Sequence, residues 1–476
     1  MKVSFQDLVF SVIDGVKFFS DSCNREAFFA EFYNGSNIKH FARIDSVEFR
    51  AYLTLKALEI TDGAQSLNDQ AAVEYLRKYF AHYGSPPSVD VYIRTAGDLE
   101  HGIEYDLKDE AQHSVRISPT GWKIAQKKKF KFLSSSTALP QVLPQGSDED
   151  LLKLLKPFVN IQGDQYKLFV IWLVQAFCSG KHTALLVRAP RGAGKTSLAR
   201  TIRALADPSR VDVSPLSSNR SDFICTLANL YLVCYDNVRS ISVEQSDILC
   251  QAITGVTVPS RTLYTNNDLY VQKLRNIVVV NGIQVLPTES DLAERFLVVN
   301  LRTINESERK REKDLQLDFD QKLPFILGAI FETLSKAMQC YRSISIENMP
   351  RMADSFADML AIALALGISE DEFRAMYAEN VAEMDKLRNE TPLVTAVREL
   401  LDAHPGRRSV EGTAEEICAM LHECYSGDVS DLPGDGSHFT RRADKEHDAL
   451  AAAGLRINVD DTYQRATRVK IIRKKK

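Results

Sequence analysis

The feature that most constrains this chain is the stretch of residues 183–203, TALLVRAPRGAGKTSLARTIR. A partly β-branched apolar run over residues 184–187 gives way to a turn rich in Pro and Gly, and a helical pattern opens at Lys195. This is a strand, a tight loop and a helix in immediate succession. The loop reads Ala189-Pro190-Arg191-Gly192-Ala193-Gly194-Lys195-Thr196, the G-x-x-x-x-G-K-[ST] pattern with Ala in place of the first Gly. Glycines let successive backbone N–H groups turn inward around a polyphosphate, and the helix N-terminus behind them adds a partial positive charge. Gly192 and Gly194 supply that freedom, Lys195 reaches the β and γ phosphates, and the Thr196 hydroxyl takes one place on the octahedral shell of Mg²⁺. Ala189, Gly192, Ala193, Gly194, Lys195, Thr196 and Ser197 are the expected nucleotide contacts.

Partners for this loop follow downstream. The apolar run over residues 229–235 ends in Asp236, the expected position of a second Mg²⁺-organising group at the end of a buried strand. Asn237 comes next, where many ring ATPases carry a glutamate that polarises water; Asn cannot act as a base, which leaves Glu244 or Glu294, or positioning by amides. A strand over residues 276–280 ends in Asn281, placed to sense a γ phosphate. Arg295 follows on a short helix start, where it either reaches across a subunit boundary to a neighbour's γ phosphate or pairs with Asp291 at i,i+4. Between Asp236 and Asn281, residues 242–255 read as a helix capped by Ser242, and residues 256–264 and 269–272 as two strands joined by Thr265-Asn266-Asn267-Asp268.

A chain of 476 residues with 45% hydrophobic and 26% charged residues is a soluble multidomain protein by pattern. Residues 1–133 read as an α+β module, with helices over 6–19, 47–58 and 69–83 and strands over 88–95, 102–107, 114–117 and 122–124. No paired-carboxylate strand motif marks that module as a primase site. Lys127, Lys128, Lys129 and Lys131, interleaved with Phe130 and Phe132, either track a phosphate backbone or form a solvated strand end. Residues 134–150 read as a Ser-, Pro- and Gln-rich linker, residues 151–345 as the nucleotide-binding domain with its preceding helices, and residues 346–476 as a helical C-terminal domain. Within it, helices over 413–425 and 439–453 followed by strands over 454–457 and 468–472 have winged-helix-like order, with a basic tail. That tail either meets DNA phosphates or serves solubility.

Net charge of −4 excludes a globally basic nucleic-acid binder, so any DNA contact is local. Eight scattered cysteines point to reduced thiols and a cytoplasmic setting; Cys418, His422 and Cys424 lack a fourth ligand and read as ordinary core and surface residues. No secretory leader is expected, because Asp7, Asp14 and Lys17 interrupt the first apolar residues, and the apolar run 168–178 is too short for a bilayer, so no membrane contact is expected.

With the loop, YDNV (235–238), SRTLYTNNDLYVQKLRNIVVVNGI (260–283) and DLAERF (291–296) in this order, the chain resembles the helicase superfamily 3 ATPases of viruses, phages and plasmids. It looks closest to phage- and mobile-element-encoded ATP-binding proteins of the primase-helicase type, and softer similarity extends to residues 117–124, 154–172, 323–338 and 352–356. The resemblance implies an α/β, AAA+-like P-loop NTPase core that uses ATP and Mg²⁺, with an N-terminal α+β domain, a C-terminal helical and winged-helix-like domain, and a homo-oligomeric ring, usually a hexamer. It implies Lys195, Asp236, Asn281 and Arg295 as catalytic residues, with Thr196 and Asp236 on the metal. It also implies DNA contact through the hairpin, by Arg261, Asn266, Asn267, Lys273 and Arg275, and the basic tail adds Arg468, Lys470 and Arg473. Related helicases carry a basic hairpin tip; here it is Asn-Asn-Asp, and Asp268 repels phosphate. The expected function is an ATP-dependent DNA helicase or translocase for replication of a phage or mobile element, acting on single-stranded or forked DNA. The rival is an ATP-driven oligomeric switch or assembly ATPase without translocation, including a role in phage–host conflict. A small-molecule kinase or GTPase fits worst, since no N-K-x-D motif occurs.

Overall fold

The structure, a computed structural model, describes residues 3–190, 192–261, 269–282, 289–304, 311–344, 349–404, 409–460 and 467–473. Two compact units divide the chain: Met1–Val285 with Arg295–Tyr377, and Leu286–Glu294 with Ala378–Lys476.

The first unit begins with helices Phe5–Val12, Val47–Ile60 and Asp69–Tyr83, whose N-caps Ser4, Ser46 and Asn68 each accept a backbone N–H of the first turn. They bury Leu8, Phe49, Leu53, Leu76 and Phe80 with Phe28 and Phe32 of a four-stranded sheet. Its order is Lys39–Arg43, Phe28–Tyr33, Lys17–Asp21, Ser88–Val89. The helix expected over residues 6–19 is therefore wrong in its second half. Gly15 takes a left-handed φ of 81°, which ends the helix and lets Phe18 and Phe19 enter the strand. Strand Phe28–Tyr33 carries no alternation in sequence because both its faces are buried, which removes the pattern that marks a half-exposed strand.

An antiparallel meander follows, Thr95–Asp98, Gly102–Asp106, Ser114–Ser118 and Gly121–Ala125. Its Ile103, Tyr105, Val115 and Ile117 share one hydrophobic core with the helix Gly163–Gln175 and the long helix Glu312–Tyr341. A buried arginine fastens this layer. Arg94 is fully buried, donates from Nε to Asp207 Oδ1 at 2.9 Å, and gives its other N–H groups to the carbonyls of Asp106, Leu139 and Pro208. Residues 134–150 contain no helix or strand but are packed down: Gln141 Nε2 donates to Ala204 O and Leu205 O, and Gln145 N donates to Pro324 O at 2.9 Å. Pro324 lies inside the 30-residue helix Glu312–Tyr341, where burial of Phe319, Leu323, Ile326 and Leu327 around it outweighs the lost backbone bond.

The central sheet is parallel throughout, in the order Leu232–Tyr235, Ile277–Gly282, Ala184–Arg188, Phe296–Asn300. All four strands are nearly continuous apolar runs, as a sheet covered on both faces requires. The strand carrying Asn281 thus lies between the loop strand and the strand leading to Asp236.

The second unit has its own core of Leu393, Val397, Leu400, Ile417, Leu421, Phe439 and Ile471 among others. Helix Pro392–Asp402, strand Ser409–Thr413, helices Ala414–Cys424, Gly436–Lys445 and His447–Ala452, and strands Leu455–Asp460 and Arg468–Arg473 follow in order. Arg468–Arg473 is the middle strand of three, flanked by Ser409–Thr413 and Leu455–Asp460. Among the described residues no helix is long and apolar enough to cross a membrane.

Candidate functional site

Loop geometry follows from its residue types. Gly192 and Gly194 have φ of 76° and 86°, and Gly194 is the left-handed N-cap of helix Lys195–Ala206, a conformation that L side chains rarely adopt. Ala189 is buried and is not among the positive-φ residues, so a methyl group is tolerated where the pattern has Gly. Lys195 Nζ donates to the loop's own carbonyls, Ala189 O at 2.8 Å and Pro190 O at 2.9 Å. Partial burial holds this ammonium below the usual lysine pKa, while the Asp236 charge pulls it back up. Ala193 is buried and Ser197 exposed.

Asp236 is brought to the loop by strand pairing. Its N–H donates to Ser214 O at 3.0 Å, and Ser214 N donates in turn to Cys234 O. Arg203, on the loop helix, donates from Nη2 to Leu232 O at 3.0 Å, fixing the start of the Asp236 strand. The result is a 2.8 Å hydrogen bond from Thr196 Oγ1 to Asp236 Oδ2. Asn281 is 1% exposed; its Oδ1 accepts from Asn237 N at 2.9 Å and its carbonyl from Val238 N at 2.9 Å. Asn281 Nδ2 is buried with no hydrogen-bond partner among the described residues, a costly condition for an amide. Asn237 takes a φ of 54° and leaves its side chain exposed, a conformation Asn tolerates better than most residues. Of the two alternative acids, Glu244 pairs with Arg220 at 3.2 Å, and Glu294 belongs to the other compact unit.

One contributor carried no motif. Asn160 Nδ2 donates to Ala193 O at 3.2 Å and Arg302 O at 2.7 Å, while its Oδ1 accepts from Arg302 Nε at 3.1 Å. It ties the loop to the chain leaving strand Phe296–Asn300. A single Asn ahead of helix Gly163–Gln175 gives no sequence signal of that role.

Arg295 is half-buried; its carbonyl accepts from Ala184 N, and its Nη1 lies 3.6 Å from Cys250 Sγ on helix Val243–Thr254 of the same chain. The described parts of the hairpin pair, with Thr257–Arg261 antiparallel to Leu269–Lys273 and Arg261 opposite Leu269, while the expected turn over residues 265–268 lies outside the described residues. Asn266 and Asn267 lie outside the described residues, as does the side chain of Arg261. Lys273 and Arg275 are half-buried. On the last strand Arg468 is exposed, Lys470 pairs with Glu411, and Arg473 pairs with Asp402 at 2.7 Å.

Of the lysine-rich stretch before residue 133, Lys128 and Lys131 are drawn inward while Lys127 and Lys129 stay exposed. Lys128 pairs with Asp106 at 2.7 Å, Lys131 pairs with Glu31, and the backbone N–H groups of Lys129 and Phe130 donate to Glu104 Oε2. Burial works to raise the Asp106 pKa, but Lys108 and Lys128 win and hold it at about 2. Cys418 Sγ and His422 Nε2 both contact Pro433 O, and no group of three potential metal ligands occurs among the described residues.

Residues 149–383 match an actinomycete integrative conjugative element replication protein family. The matched stretch runs from just before the helix Leu151–Leu155 into the helix Glu370–Asn389, and so contains the loop, Asp236, Asn281 and Arg295. Among solved structures, the A form of the apo NrS-1 C-terminal region is 12% identical, covering 98% of this chain and 99% of that one at a TM-score of 0.41. A second apo structure of the NrS-1 C-terminal region is 11% identical, covering 99% and 100% at 0.38. A JCV helicase bound to a thiazolopyridinyl-phenoxyphenyl acetamide is 18% identical, covering 49% of this chain and 70% of that one at 0.22. Comparison with curated proteins finds no match.

Proposed function

We propose that the chain is an ATPase of the superfamily 3 helicase type that moves along DNA during replication of a mobile genetic element. The observation that carries this reading is the Thr196–Asp236 hydrogen bond of 2.8 Å, which joins the two expected Mg²⁺ positions across 40 residues of sequence. The replication-protein match over residues 149–383 supports it.

The residues suit Mg²⁺-ATP. Two left-handed glycines open the loop, a hydroxyl and a carboxylate already touch, and a buried amide N–H of Asn281 lacks an acceptor that a γ-phosphate oxygen or its water would supply. Mg²⁺ held by Thr196 and Asp236 would neutralise phosphate charge. Lys195, which donates to the Ala189 and Pro190 carbonyls, would hold phosphate oxygens, and Asn281 would present Nδ2 while its Oδ1 holds the Asn237 N–H. Arg295 completes a neighbour's site in a homo-oligomeric ring, the hairpin meets DNA, and the second unit, winged-helix-like in element order, adds a DNA contact through Arg468. Asn237 favours one alternative, an oligomeric switch without translocation, because its exposed amide offers no base.

ATP turnover with and without single-stranded DNA separates these readings. The motor requires stimulation by DNA that Lys195→Ala abolishes. DNA-independent turnover together with ATP-driven ring formation would reject the motor and retain the switch.

A further inference from the structure

Within the first unit a cavity of about 130 Å³ lies at the base of the hairpin, between the first sheet and the central domain. Phe29, Tyr92 and Tyr231 give it aromatic walls, and Lys273 and Arg275, on the segment leaving the hairpin, line it with positive charge. His182 also lines it, at 3% exposure. Its Nδ1 has no hydrogen-bond partner among the described residues. Burial drives the His182 pKa down to about 4, against a hydrogen bond to the Cys178 backbone and with help from the nearby Arg275 charge. The ring is therefore neutral, and a neutral imidazole carries one acceptor nitrogen beside its N–H. The remaining charges are internally satisfied: Arg43 pairs with Asp45 at 2.9 Å, Asp90 accepts from Ser22 Oγ, and Asp21 accepts from Cys23 N.

An aromatic slot with one buried acceptor and two adjacent cations suits a planar ring that carries an N–H donor and an attached phosphate. Size is in keeping with a single six-membered ring, since a cavity of about 150 Å³ holds a benzene molecule. We propose that the cavity binds one pyrimidine base, its N–H donated to His182 Nδ1, with Lys273 and Arg275 holding the attached phosphate. The idea rests on the DNA-motor reading only for the source of the base, since a strand passing the hairpin and a free pyrimidine nucleotide present the same chemistry.

The test compares binding of the full chain to oligothymidylate, to an equally long abasic strand, and to dTMP, all at one salt concentration. Oligothymidylate is expected to bind roughly tenfold more tightly than the abasic strand, in keeping with stacking of one base. His182→Leu, and independently Tyr92→Leu in case the first variant does not fold, should erase that preference and leave abasic binding unchanged. Equal binding of the two strands with no dTMP binding would overturn the assignment, as would variants that weaken both strands alike. His182-dependent binding of dTMP without binding of either strand would keep the cavity assignment and remove the DNA-motor reading instead.

Discussion

Arg94→Met removes the ion pair that joins the N-terminal layers to the nucleotide core, together with the Arg94 hydrogen bonds to the carbonyls of Asp106, Leu139 and Pro208. The guanidinium is fully buried and lies 2.9 Å from the Asp207 carboxylate, which ends the loop helix and also accepts the N–H of Leu232 at 3.2 Å. Methionine preserves volume and removes the charge, which leaves the carboxylate desolvated. Losing one partner of a buried pair costs about 3–5 kcal/mol. Arg203 stays 3.9 Å from the other Asp207 oxygen and offsets part of that, while three carbonyls lose their donor, so a loss within that range of about 3–5 kcal/mol is expected. The only two tryptophans, Trp122 and Trp172, both lie in the first unit, so their fluorescence during urea unfolding reads this unit alone. The slope for a unit of this size lies above the about 1–3 kcal/mol per molar urea of small proteins, so the midpoint should fall by roughly 0.5–1 M. Asp207→Asn keeps a hydrogen-bond acceptor and removes the charge, and the double variant should show a coupling of about 1–3 kcal/mol relative to the sum of the singles. A loss below about 1 kcal/mol for Arg94→Met, or strict additivity, would refute the argument that this pair holds the layers together.

Two further outcomes follow from buried polar groups. Asn281→Ala should cost about 1 kcal/mol of stability through the Asn237 N–H yet lower ATP turnover roughly a hundredfold, and unchanged turnover would dismiss the sensing role. Asp358 has its pKa raised to about 7 by burial, with Asp98 and Asp354 adding to the effect and Gln175 opposing it. The folded state then holds a proton that the unfolded chain releases near pH 4, so stability falls as pH climbs from about 4 to 7 and levels off above. Asp358→Asn should remove that slope and stabilise the protein at pH 8 by up to roughly 4 kcal/mol; an unaltered pH profile of the urea midpoint would contradict it.

The lysine-rich stretch shows how charge in sequence differs from charge at a surface. By spacing alone, Lys127 to Lys131 with its phenylalanines suits either a phosphate track or a solvated strand end. Burying Asp106 and Glu31 makes Lys128 and Lys131 their counter-ions, since an ionised carboxylate inside a protein needs a partner. Lys470 and Arg473 form surface pairs with the exposed Glu411 and Asp402, which constrain them far less, so all three cations of that strand stay at the surface.

What the sequence determined by itself is local and chemical. The strand, glycine loop and helix around Lys195, the Ser242-capped helix, the hairpin and helix Asp69–Tyr83 were all legible, because capping, turn chemistry and periodicity act within a few residues. Only the tertiary structure decided which distant groups meet. Thr196 touches Asp236, Asn160 latches Ala193, Arg94 finds Asp207, and His182 faces a cavity, through contacts spanning 33 to 113 residues in the first three cases. No local propensity encodes such pairings; they arise when burial of apolar faces brings strands and layers into register and leaves each buried polar group to find a partner. Strand Phe28–Tyr33, buried on both faces, carries no period from which its structure can be told, whereas the end of the first helix is set by the left-handed Gly15 that lets the chain turn into strand Lys17–Asp21.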